Sequence, residues 1–152
     1  MDKLYKLSGT EKLYWETWDG EPGKCVVHWG ELGTPGESKT VSQDQLNAEM
    51  GEMIERGFVP IDDSELTILQ IEYTVDGFGS GADLDKRNRL MERMDQTLGW
   101  TGLGHCDGGS IGSDTMEVCN FVVDFDIAKQ VIELDLTGTE FADFSRIYEE
   151  DR

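Results

Sequence analysis

The sequence predicts an α+β fold in two parts. A small antiparallel sheet with one helix comes first, followed by a sheet-and-two-helix module of split βαβ order. Three observations predict it. Short segments alternate apolar and polar residues and are bounded by Gly- and Pro-containing turns, as half-buried strands are. Three further segments carry apolar residues at helical spacing. The two parts also differ in charge: residues 1–60 carry 11 acidic and 6 basic side chains, and residues 61–152 carry 21 and 7.

In the first part, residues 1–60, KLYWETWD (12–19) reads as a strand. The turn Glu21-Pro22-Gly23-Lys24 and a second strand, CVVHW (25–29), follow. Alternation puts Cys25, Val27 and Trp29 on one face of that strand and Val26 and His28 on the other. Gly33 and Gly36 are turn glycines with positive φ. Lys39-Thr40-Val41 is a third strand. Ser42-x-x-Gln45 has the form of a capping box, and Leu46, Met50, Met53 and Ile54 fall on one helical face. Gly57 stops that helix as a C′ glycine, and Pro60 follows.

The second part, residues 65–152, restarts after the acidic linker Ile61-Asp62-Asp63-Ser64. Leu69, Ile71, Tyr73 and Val75 alternate with polar residues and form a strand. Leu84, Met91, Met94 and Leu98 describe a helix that begins with Asp83 as its N-cap and ends at Gly99. The glycine-rich GLGHCDGGSIGSD (102–114) reads as a wide loop or a bulged strand. TMEVCNFVV (115–123) is a strand, a helix over about 126–136 buries Ala128, Val131 and Ile132, and FADFSRIYE (141–149) is a closing edge strand. A strand hidden in the glycine-rich segment would complete the order β-α-β-β-α-β, a ferredoxin-like arrangement.

Composition narrows the function. Fourteen Trp, Tyr and Phe among 152 residues argue for a packed core rather than a disordered chain. A formal net charge of -19 repels nucleic acids and anionic membranes and favours a basic partner. No apolar run approaches the ~20 residues of a membrane span, and the first residues show no secretory leader. Three widely spaced cysteines, Cys25, Cys106 and Cys119, form no disulfide framework. A cytoplasmic protein is the expectation.

No motif for catalysis or for a cofactor emerges. Gly77-Phe78-Gly79-Ser80-Gly81 precedes a helix but lacks phosphate-loop spacing, and Asp83 and Asp85 would compete with a phosphate for the helix dipole. His105-Cys106-Asp107 lacks metal-ligand spacing, and Cys25 and His28 should point to opposite faces of a strand. They read as buried or neutral cysteines and two isolated imidazoles. Adjacent Cys106 and His105 have no third group to make a catalytic set. The chain is therefore expected to be no enzyme, with no metal and no cofactor.

Several features stand together in residues 5–60. Leu13-Tyr14-Trp15-Glu16-Thr17-Trp18 is an aromatic strand, and Trp29-Gly30-Glu31-Leu32-Gly33-Thr34-Pro35-Gly36-Glu37 is a glycine-punctuated hairpin. Ser38-Lys39-Thr40 and a helix ending in Arg56-Gly57-Phe58 complete the series. In this order they resemble the WGR domain, a module of poly(ADP-ribose) polymerases and of short bacterial proteins. The resemblance implies contacts with DNA ends or neighbouring domains. Glu31 stands where that family has its Arg, and Glu37 where it usually has Gln. Reversing the charge there removes the phosphate contact on which non-specific nucleic-acid affinity rests. Packing is the simpler role for Trp29. The polymerase activity does not carry over, because the chain after residue 60 is too short for that catalytic domain. More loosely, residues 65–150 are similar to small ferredoxin-like bacterial immunity-type proteins.

The expected function is that of a non-catalytic interaction protein with a basic protein partner, of inhibitor or immunity-like type. Its contact residues are expected to be Trp29, Gly30, Glu31, Gly33, Thr34 and Lys39 in the first part. In the second they are Asp83, Asp85, His105 and Asp107 with the surrounding 105–114 loop. The alternative is a nucleic-acid-binding WGR protein, which would require Lys3, Lys6, Lys12, Lys24 and Lys39 to gather on one face.

Overall fold

Strand-forming sequence at the start of the chain builds a four-stranded antiparallel meander, as a computed structural model of all 152 residues shows. Its strands are β1 (Asp2–Lys6), β2 (Leu13–Asp19), β3 (Lys24–Glu31) and β4 (Glu37–Ser42), in that spatial order. Strand β1 was not anticipated: it is only five residues long, and it pairs antiparallel with β2 along its whole length. Helix α1 (Gln43–Glu55) follows at once. The predicted capping box is present, with Ser42 Oγ accepting from Gln45 N and the Gln45 side chain accepting from Ser42 N. Gly57 sits just past the helix at φ 96°. Leu46 is buried, Met50 and Met53 are half-buried, and Ile54 is exposed rather than packed.

Alternation gives this sheet two different faces. Leu4, Trp15, Cys25, Val27 and Val41 pack with Leu46 and Phe58 under α1. Tyr5 and Tyr14, from the opposite face, join Leu32 in the core of the second half.

After a 3₁₀ turn at Asp63–Glu65 come β5 (Thr67–Thr74), α2 (Gly81–Trp100), β6 (Gly104–Gly112), β7 (Thr115–Val122), α3 (Phe125–Leu136) and β8 (Arg146–Glu150). The spatial order β6-β7-β5-β8, antiparallel throughout, is the ferredoxin-like arrangement. Leu69, Ile71, Tyr73, Met116, Val118 and Val122 point from the sheet towards α2 and α3, meeting Leu90, Met94, Leu98, Ala128, Ile132 and Leu136.

Several local expectations are corrected. Ser80, not Asp83, is the N-cap of α2; Asp83 is the third helical residue of a second capping box. The helix runs through Gly99 to Trp100, and Leu84 is exposed. Of the two forms expected for the glycine-rich segment, it takes the bulged strand: it is β6, with a bulge between Cys106 and Gly108 that leaves Asp107 out of register. The closing strand is shorter than 141–149, because Phe141 instead turns inward and is buried.

Candidate functional site

The hairpin after β3 is locked by its glycines. A Cβ on Gly36 (φ 63°) would lie 2.2 Å from the Trp29 carbonyl oxygen, and one on Gly33 (φ 92°) 2.8 Å from Ile127. Gly33 N donates to Thr101 O at 2.9 Å, and Leu32 is in the core beneath. Tyr14 Oη donates to Thr34 O at 2.8 Å. Burial, and Glu16 after it, pushes the Tyr14 phenol up, so it stays a donor at neutral pH. On the far side, Gly102 (φ 70°) lies against the Tyr14 ring, where a Cβ would come within 2.2 Å. The Gly33–Gly36 turn thus joins the two halves, and Lys12 with Asp124 adds an ion pair across the same joint.

At the joint sits His28, 1% exposed. Its Nδ1 lies 2.7 Å from Glu16 Oε2 and its Nε2 lies 2.5 Å from Pro35 O. A carbonyl only accepts, so Nε2 is the donor to Pro35 O, and Nδ1 faces the Glu16 carboxylate. Tyr14, Trp18 and Trp100 surround the imidazole with ring centroids 5.1, 6.0 and 5.2 Å away. His28 is therefore not the isolated imidazole expected from sequence. No local spacing announces the arrangement, since Glu16 and His28 meet by cross-strand register and Trp100 arrives from α2.

Beside it opens a cavity of about 440 Å³ lined by Met1, Lys3, Glu16, Trp18, Asp95, Gln96, Gly99 and Trp100. Its size falls in the range of small-ligand sites. Trp18 and Trp100 meet edge to face, their centroids 6.1 Å apart at 86°. Trp100 is 53% exposed, an unusual position for the largest apolar side chain. The sequence placed Glu16 and Trp18 on a strand, Asp95 and Gln96 in a helix ending at Gly99, and Lys3 among the lysines of the nucleic-acid alternative, but it did not mark their convergence as a site.

The residues expected to form contacts are placed as follows. Trp29, Gly30 and Glu31 line a second groove of about 290 Å³, shared with Trp15, Glu49, Met53 and Arg56. Trp29 is half-buried, with Lys39 Nζ 5.3 Å from its ring centre and 3.0 Å from Glu49 Oε1. Gly33 and Thr34 belong to the joint. Asp83, the third residue of α2, accepts from the Ser80 amide and lies near Ile111, and Asp85 is exposed in the same turn. His105 is at the opposite end of β6, edge-on to Phe121, roughly 20 Å away along the strand. Asp107 is exposed at the bulge. The structure does not bring these four together.

Other chemistry is limited. No group of three or more His, Cys, Asp or Glu is arranged to hold a metal ion. All three cysteines are free, and burial pushes the Cys106 thiol up to about 11, leaving it a thiol at neutral pH. No helix is long and apolar enough to cross a membrane. Seven of the 13 Lys and Arg residues are in ion pairs with carboxylates, and Glu16 pairs with His28. That leaves 24 of the 32 carboxylates outside any ion pair. The five lysines of the nucleic-acid alternative are dispersed. Lys6 and Lys39 share the α1 face on opposite edge strands, Lys3 points to the other face, and Lys12 and Lys39 are paired.

Compared with protein-family models, with curated proteins and with solved structures, the chain matches none of them.

Proposed function

We propose that this chain is a non-catalytic interaction protein that engages a basic protein partner, as an inhibitor of immunity type would. The observation that carries this is the surplus of unpaired carboxylates: most of the chain's cations already answer its own acids, so the remaining negative charge is presented outward. We read residues 5–60 as a WGR-like scaffold that has lost its cationic contact at Glu31. Its Gly33–Gly36 turn serves the joint between the halves, in keeping with a role towards neighbouring modules.

The test is a fluorescence titration of the full chain, at low salt, with a lysine-rich peptide and in parallel with nicked and blunt duplex DNA. The four Trp supply the signal and Trp29→Phe is the control. Saturable binding of the peptide that weakens steeply with salt, without binding of either DNA, is expected. Micromolar DNA binding that Trp29→Phe removes would overturn the proposal in favour of the nucleic-acid alternative.

A further inference from the structure

The cavity at the joint has the chemistry of a cation receptor. Two indole rings set at 86° form adjoining walls, and an ammonium or guanidinium group is attracted to the face of such rings. The Glu16 carboxylate, 5% exposed, forms part of the lining and is held in place by His28. Because His28 already answers Glu16, the free negative charge of the cavity is Asp95, on the exposed face of α2. Its Oδ1 accepts from Cys106 N at 3.2 Å, which fixes where the carboxylate stands. Gln96, Gly99 and Met1 share a lining able to accept both the head and the aliphatic stem of a long basic side chain.

We propose that a lysine or arginine side chain of the basic partner inserts here, its cationic head between Trp18, Trp100 and Asp95. This assignment rests on the function proposed above and names the place where it is exercised. One internal competitor is present. Lys3 on β1 lies directly opposite Glu16 in register, lines the same cavity and forms none of the chain's ion pairs. It limits the affinity for an incoming cation.

The probes are tetramethylammonium, its uncharged isostere 3,3-dimethylbutan-1-ol, and a fluorophore-labelled lysine-rich peptide, each titrated against the full chain. Tetramethylammonium should quench indole fluorescence saturably while the neutral isostere does not. Trp100→Leu should weaken peptide binding by about tenfold, the loss of one good cation–π contact. Asp95→Asn, which keeps the acceptor for Cys106 N, should weaken it about threefold, and Lys3→Gln should strengthen it. Equal response to the neutral isostere would overturn the cation assignment. Peptide binding indifferent to Trp100→Leu, Asp95→Asn and Lys3→Gln would overturn the cavity and leave the proposed function standing. Absence of peptide binding to the wild-type chain would overturn the proposed function, and the side-chain occupant with it.

Discussion

His28 is the residue on which the joint depends. Its two ring nitrogens meet two acceptors and its ring, itself out of water, meets three aromatic side chains. Removing one partner of a buried pair leaves the other uncompensated. His28→Ala should therefore lower stability by about 3–5 kcal/mol, read from urea denaturation. Gly102→Ala should cost about 1–3 kcal/mol, because its left-handed backbone and the Tyr14 ring both exclude a methyl group. Glu31 behaves differently. It is exposed, so Glu31→Arg should change stability by no more than about 0.5 kcal/mol while weakening binding of the basic peptide. An unchanged peptide affinity would remove Glu31 from the contact surface. Sequence spacing revealed Gly33 and Gly36 as turn glycines, but not that Gly33 turns against Thr101 and Ile127. Such a contact is invisible until distant segments fold together.

At the scale of elements, caps and alternation were legible, and the glycine-rich strand was one of two readings that spacing left open. Ser42 with Gln45, and Gly57, marked both ends of α1 because their hydrogen-bonding chemistry is local. Strand β6 has four glycines in nine residues and little propensity of its own, so its hydrogen bonds with β7 are what hold it. The capping of α3 gives a prediction. Asp124 accepts from Ile127 N at 2.9 Å and from Lys12. Burial pushes its carboxyl up, but the Ile127 amide, Lys12 and the Asp126 amide outweigh burial and hold it below its ordinary value. A carboxyl lowered in the folded state contributes stability that is full above its unfolded value, about 3.9, and is lost as pH falls through the folded value. Asp124→Ala should cost about 1 kcal/mol at neutral pH, as for other N-caps. The difference from wild type should shrink in acid; a difference that holds constant down to pH 3 would contradict the assignment.

For the whole molecule, the α+β class and the two successive sheets followed from periodicity, while the burial of the first sheet on both faces did not. Tyr5, Tyr14 and Leu32 belong to the larger core with residues of β5, β7, α2 and α3. The chain should accordingly unfold in a single transition, with far-ultraviolet circular dichroism and Trp fluorescence coinciding. Two separated transitions would mean that the joint contributes little. The net charge of -19 was readable from composition alone, but the place that would use it was not, since Trp18, Trp100 and Asp95 converge from separate elements. The most direct measurement follows the four indole N–H signals by two-dimensional NMR during addition of the lysine-rich peptide. The account predicts progressive shifts at Trp18 and Trp100, with buried Trp15 unmoved. No shift at Trp18 or Trp100, or shifts produced only by duplex DNA, would contradict it.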